Sequence, residues 1–113
     1  MKKKYRIKKS NEIEVVIKKG SSRANRTFIV YKYKNLENDL YRIAISAPKK
    51  LGNAVIRNKI KRQMRVILQQ NQDHFKIGYD YFIMARPDIL NIDFKTATKQ
   101  MKHVLRLIHQ PKK

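Results

Sequence analysis

At 113 residues with 42% hydrophobic side chains, the chain has material for one folded domain with a single modest core, and not for two. Its 28 Lys and Arg against 8 Asp and Glu leave a net charge of +20, a self-repelling excess that a polyanionic partner relieves. There is no Cys, which excludes a disulfide framework and thiolate chemistry, and no apolar run approaches the roughly 18 residues of a membrane span. Nucleic acid is therefore the first candidate partner and an anionic membrane surface a weaker second. The basic start is followed by no apolar signal core, so the expected setting is cytoplasmic, with no membrane contact and no required protein partner.

Residues 1–9 hold six basic side chains broken by Tyr5 and Ile7, and read as a mobile arm that grips phosphates. Ser10 or Asn11 can cap a first helix, with Glu12 and Glu14 favourable in its first turn, and Gly20 ends it. Ile13, Val16 and Ile17 share one face, and so short a helix must pack on something. The polar stretch 21–26 reads as a short edge strand or a loop. Residues 28–34 (FIVYKYK) form a strand, with Ile29, Tyr31 and Tyr33 opposite Phe28, Val30 and Lys32. Residues 41–47 form a second strand, and the short polar link between them suits an antiparallel hairpin. Pro48 stops the ladder.

The stretch 49–65, KKLGNAVIRNKIKRQMR, carries seven basic residues and no acidic one. A helix is expected over 53–72. At about 100° per residue, Ile56, Ile60, Met64, Ile67 and Leu68 make an apolar stripe, and Arg57, Lys61, Arg65, Asn58 and Arg62 occupy an adjoining arc of roughly 140°. One face can seat on a core while its neighbour offers planar guanidinium forks suited to phosphate. The plain alternative is a solvated basic face. Gly78 marks a turn, and residues 79–86 read as an interior strand, apolar on both faces apart from Asp80 and Arg86. Asp93 can cap a last helix whose stripe is Phe94, Ala97, Met101, Leu105 and Ile108. Lys95, Lys99, Lys102 and Arg106 face water, and 110–113 is a frayed basic tail. The whole, 1–113, is expected to be a single nucleic-acid-binding domain with helices packed on one sheet.

The run from Gly52 to Arg65, with its Arg57-Asn58 pair, Lys61-Arg62 pair and Arg65 on one helix, closely resembles the RNR signature of the bacterial ribonuclease P protein subunit. Matching segments on both sides extend the resemblance over essentially the whole chain. It implies an α+β fold, an αβββαβα single-domain sandwich of the ribosomal protein S5 domain 2-like kind. It also implies a left-handed crossover around the central helix, where general rules favour the right-handed form. By resemblance, Lys49, Lys50, Asn53, Arg57, Asn58, Lys59, Lys61, Arg62 and Arg65 contact RNA. Ile13, Ile17, Ile29 and Tyr31 would line a cleft for the single-stranded 5′ leader of precursor tRNA. Some relatives place Phe where Ile13 and Ile17 stand; aliphatic side chains bury against bases but cannot stack. The plain alternatives are core packing for the two Ile and an ordinary sheet aromatic for Tyr31. The partners implied are the catalytic RNA and precursor tRNA, with Mg2+ at the RNA active site of the holoenzyme and none bound to protein.

The residues themselves offer little for protein-based catalysis. The eight carboxylates sit mostly where caps and turns explain them, and only Asp80 lies within a strand. The three His make no metal-spaced or acid/base pair, and His103 and His109, near a helix end, suit its dipole. Only three Gly exist and none sets up a phosphate-cradling loop. Two other classes compete: a ribosomal-protein-like or chaperone-like RNA binder with no part in cleavage, and a histone-like binder of duplex DNA.

Overall fold

The computed structural model describes residues 3–37 and 39–110. Its elements in order are α1 (Ser10–Lys19), β1 (Ser21–Ala24), β2 (Phe28–Lys34), β3 (Arg42–Ser46), α2 (Ala54–Gln69), β4 (Tyr79–Ala85) and α3 (Phe94–Ile108). This is the αβββαβα order, and the stretch left open as strand or loop is the edge strand β1.

The four strands lie in the order β1-β2-β4-β3. The β2–β3 hairpin expected from the short link does not form. Instead β4 lies between them, antiparallel to β2 (Val30 opposite Ile83) and parallel to β3 (Ile45 opposite Ile83). The physical reason is that β4 is apolar on both faces and buries most completely at the centre. The turn entering β4 is stitched into the link. Asn35 N–H donates to the Gly78 carbonyl at 2.7 Å, and Gly78 N–H donates to the Leu40 carbonyl at 3.0 Å. Gly78 has φ of +85°, the left-handed conformation that glycine takes without strain.

Strand parity divides the apolar side chains between two faces. One face carries Phe28, Val30, Ile43, Tyr81 and Ile83 against the buried stripes of α2 and α3. The other carries Ala44 and Phe82 against Val16 of α1 and Ile7. On α2 the buried residues are Ile60, Met64, Ile67 and Leu68; Ile56 is 40% exposed and drops off the expected stripe. On α3 the stripe is Ala97, Met101, Val104, Leu105 and Ile108, while Phe94 at its first turn is largely exposed. α2 ends three residues sooner than expected, and a short 3-10 turn follows at Gln72–His74. Asp93 caps α3 as expected, accepting from Thr96 N–H at 2.8 Å. α1 has no side-chain cap: its N-cap position is Lys9, and Ser10 already lies within the helix.

Residues 3–9 are not the free arm expected. Arg6 pairs with Ile43 as a parallel bridge, and Ile7 is buried with its N–H on the Ile43 carbonyl at 3.1 Å. Tyr5 stacks on Tyr41 with ring centroids 4.4 Å apart. Residues 1–2 and 111–113, the rest of the arm and most of the tail, fall outside the described residues.

The sheet and α1 are tied by one ionic cluster. The Arg42 guanidinium holds Asp80 bidentately, Nε to Oδ1 at 3.0 Å and Nη2 to Oδ2 at 2.8 Å, and reaches Glu12 of α1 through Nη1 at 2.8 Å. Asn35 Nδ2 adds a fourth contact, to Asp80 Oδ2 at 3.1 Å. These bonds raise the Arg42 pKa, chiefly through the hydrogen bond to Asp80. Asp80 is 2% exposed, so Asp80→Ala leaves a guanidinium half-buried without its main partner. We expect that variant to lose about 3 kcal/mol of unfolding free energy in urea titration; a loss below about 1 kcal/mol refutes the clamp role.

The two histidines read as dipole partners do other work. Asn25 Nδ2 donates to His103 Nδ1 at 3.2 Å, and His109 Nε2 donates to the His74 carbonyl. Burial lowers the His109 pKa from its ordinary 6.5; the hydrogen bond to the His74 carbonyl offsets part of this, and the charges of Lys32, Lys76 and His74 lower it further. The folded chain thus binds a proton less readily than the unfolded chain, so stability falls as pH drops below about 6.5 and levels off beneath the folded pKa. Urea midpoints should decline between pH 7.5 and 5.5 for the parent chain and decline less for His109→Gln. Parallel declines would show that His109 is not the titrating group.

Candidate nucleic-acid interface

α2 is positioned by the turn that precedes it. Residues Lys49–Leu51 form a 3-10 turn with Leu51 buried, and Gly52 then reverses the chain at φ of +146°. A Cβ at Gly52 would meet the Ile56 side chain at 2.9 Å, so the half-exposed Ile56 packs back onto this glycine. The side-chain oxygen of Asn53 then accepts from Ile56 N–H at 3.0 Å, an N-cap that fixes the start of α2. Asn53, expected as an RNA contact, therefore has a structural task that occupies its oxygen. Lys49 and Lys50 are both exposed beside the same start.

Along α2 the cations sort by depth. Arg57, Lys61 and Arg65 recur every fourth residue and are half-buried, lying next to the core stripe, while Asn58 and Arg62 are exposed beyond them. Half-burial restricts these side chains before any partner arrives, which lowers the rotamer entropy lost when an anion binds. The Arg57 Nε is buried with no hydrogen-bond partner, so this guanidinium must meet its anions through its outer nitrogens. Lys59 is exposed, and at about 100° per residue it lies roughly 60° beyond Arg62, on the outer margin of this arc. Five of the expected contacts share the arc, and Lys59 borders it on the side away from the core.

The second surface is the sheet face beneath α1. Tyr31 is half-buried, and its ring lies 5.9 Å from that of Phe82, its cross-strand partner on β4. Ile13, Tyr31, Tyr33 and Met84 pack against the buried cluster of Ile7, Val16, Ala44 and Phe82. Ile29 is half-buried and shares the parity of Tyr31. Ile17 is 38% exposed, so core packing alone does not account for it. The four cleft candidates therefore lie on α1 and one sheet face. Phe82, Met84 and Tyr33 on that face were not foreseen as cleft residues. Strand parity would have found Phe82 and Met84, had β4 and not β3 been set beside β2.

The two surfaces meet. An opening of about 180 Å³ lies where Arg65 of α2 comes beside Ile13 of α1, with Arg6, Ile7 and Ala44 as further walls. Cationic forks and a floor of apolar and aromatic side chains together suit a phosphodiester strand with unpaired bases. Among the described residues no three His, Asp or Glu side chains converge as a metal site, and no helix is long and apolar enough to cross a membrane.

Comparison with known proteins gives one family. The family model described as ribonuclease P matches residues 1–109. A ribonuclease P protein component from Bacillus cereus is 42% identical over 94% of this chain and 92% of its own length. One from Listeria welshimeri is 43% identical over 95% and 90%. The solved structure of the Staphylococcus aureus RNase P protein superposes with a TM-score of 0.85 at 40% identity, covering 93% of this chain and 95% of that one. The Thermotoga maritima protein does so at 0.81 and 28% identity, covering 93% and 98%.

The cationic row makes a direct prediction. Replacing Arg57, Lys61 and Arg65 together by Ala should leave the circular dichroism spectrum unchanged and weaken binding to structured RNA. The slope of log K against log salt should become shallower by about 2 to 3. An unchanged slope removes these three side chains from phosphate contact.

Proposed function

The chain belongs to the ribonuclease P family of proteins, and from that premise we propose that α2 docks on a catalytic RNA while the cleft under α1 holds the 5′ leader of precursor tRNA. Membership makes it the protein subunit of a ribonucleoprotein endoribonuclease that processes tRNA. The observation that carries the finer reading is the shared opening: Arg65 of the cationic row and Ile13 of the cleft line one space, so an RNA docked on α2 and a strand held in the cleft lie next to each other there.

Docking is electrostatic. Lys49, Lys50, Arg57, Lys61, Arg62 and Arg65 displace condensed counterions from the catalytic RNA, and their release drives association. Asn58, exposed among them, offers a donor and an acceptor to a sugar or base edge. In the cleft, Tyr31 offers a ring face, and Ile13, Ile17 and Ile29 offer aliphatic cover. A substrate that still carries its leader gains these contacts; mature product, lacking the leader, does not. The subunit thereby raises precursor affinity and orients the scissile region.

Bond breaking we assign to the RNA, with magnesium held there at the scissile phosphate. The chain's own carboxylates support this division through the tasks they already perform. Asp80 and Glu12 hold Arg42, Asp93 caps α3, and Asp88 accepts from the Thr27 hydroxyl at 2.8 Å. The bound protein supplies positive charge that lets closely packed RNA phosphates order around the divalent ions. The setting we assign is the cytoplasm, and no further protein partner is required.

The test is reconstitution. With its cognate catalytic RNA at low magnesium, the chain should restore leader removal; with no RNA present it should leave precursor intact. Cleavage by the nucleic-acid-free protein refutes the division of labour. In the same assay Tyr31→Ala should weaken precursor binding about tenfold, within the roughly 1–3 kcal/mol that one stacked base contributes. Mature tRNA binding should be unchanged, and equal losses on both would reduce Tyr31 to a sheet residue.

A further inference from the structure

We propose that α3 carries a second phosphate-contact surface, on which Lys95, Lys99, Lys102 and Arg106 grip the backbone of a helical segment of the catalytic RNA other than the one met by α2. The inference rests on the docking reading above and extends it to the far side of the helical layer.

The surface follows from helical spacing. At about 100° per residue the four side chains fall within an arc of roughly 60°, centred about 150° from the buried stripe of α3. All four are exposed, and they extend over about 16 Å of helix axis. The helix that bears them is pinned to the sheet. Asn25 Nδ2 donates to the Gln100 carbonyl at 2.8 Å, and Lys32 Nζ donates to the Ile108 carbonyl at 3.0 Å. α3 packs on β1 and β2, whereas α2 packs on β3, where Arg65 shares an opening with Ile43 and Ala44. In the order β1-β2-β4-β3 these are opposite ends of the sheet, so the two cationic rows belong to opposite ends of one helical layer.

For a helix that only covers a core, this row is unfavourable. Its successive members stand three or four residues apart, the spacing at which like charges repel across a helix surface. Lys95 sits in the first turn, where the helix dipole disfavours a cation. Asp93 answers part of the Lys95 charge, but no carboxylate follows it in the chain, and among the described residues none of the four cations joins a salt bridge. A polyanion relieves this repulsion. The chemistry selects a nucleic-acid backbone over unpaired bases or a bilayer. The row holds no ring for a base to stack on, and Phe94 lies roughly 100° off it. The apolar stripe of α3 is used by the core, which leaves none to enter a membrane. A straight file of cations matches the regular phosphates of a duplex, which are contacted without reading sequence. α3 shares its layer with α2, on the sheet face away from α1 and the cleft, so the RNA within its reach is the one on which α2 docks.

The experiment measures binding of the full chain to its catalytic RNA alone across a salt series, then binding of precursor and mature tRNA by the assembled complex. Lys99→Gln/Lys102→Gln/Arg106→Gln is compared with the parent and with Lys18→Gln/Lys19→Gln/Lys34→Gln, which removes equal charge from exposed positions outside the row. The row variant should bind the catalytic RNA about tenfold or more weakly, with a log–log slope shallower by about 2 to 3, while the control changes the slope by less than about 1. The preference for precursor over mature tRNA should be unchanged. The urea midpoint of the row variant at low salt should match or exceed the parent's, since three like charges leave one helix face. Lys99→Arg/Lys102→Arg/Arg106→Lys keeps the charge and should keep the slope. An unchanged slope for the row variant overturns the surface. So does a loss no larger than the control's, a loss confined to tRNA binding, or a flattened slope in the charge-keeping variant. If replacing Arg57, Lys61 and Arg65 leaves affinity and slope at the parent's values, it is the docking reading that falls, an outcome separate from all of these.

Discussion

The fold depends on a small amount of negative charge placed inside a strongly positive chain. Arg42 is held by Asp80 within the sheet and by Glu12 on α1, and Asn35 at the end of β2 shares the same carboxylate. One guanidinium thus joins β3, β4 and α1 at the point where the strand order departs from sequence order. A cation used this way is withdrawn from the surface, and the carboxylates that hold it no longer compete with a bound anion for the remaining cations. The arrangement resolves a conflict built into the composition. The chain needs a dense positive surface for its partner, and it needs internal attraction to oppose the repulsion which that surface creates.

α2 resolves the same conflict along one helix. Its apolar stripe is fully used by the core, so its orientation on the sheet is fixed by packing and not by the RNA. The cationic row lies directly beside that stripe, and the stems of Arg57, Lys61 and Arg65 are therefore held before any partner arrives. Gly52 and Asn53 set where the helix begins, one through a backbone conformation that side chains avoid and the other through its cap. Preorganisation of this kind is what lets a small domain contribute affinity without a closing motion.

Much of this was legible in the residues. The order of elements, the bounds of β2, the buried stripe of α2 from Ile60 to Leu68 and the Asp93 cap all follow from periodicity and capping chemistry. The cationic arc follows from the same arithmetic that gives the stripe. What was not legible was adjacency. A link of five or six residues is as good for a hairpin as for a strand that leaves room for another, and nothing local to 35–40 reveals that Gly78 will bond to both ends of that link. The cleft floor was lost with it, since Phe82 and Met84 join Tyr31 only once β4 stands next to β2. The amino-terminal segment was misread for a related reason. Tyr5 and Ile7 looked like interruptions of a basic run, but they are its anchors, and their partners are Tyr41 just before β3, Ile43 in β3 and Val16 in α1. His109 shows the limit of position-based charge arguments: its place at a helix end suggested a proton, and its burial, with Lys32 and Lys76 nearby, disfavours one.

The placing of β4 bears on how the molecule is made. On a chain emerging from the ribosome, β2 and β3 appear well before residue 79, yet they share no ladder with each other. They wait for a strand translated last among the four, and the contacts that then close are distant in sequence. Until that strand arrives, the α2 stripe has neither a finished sheet nor α3 to bury against, and the cations beside it have no fixed frame. A nascent chain therefore cannot present its finished RNA-binding surface early, and premature termination before the fourth strand removes fold and surface together.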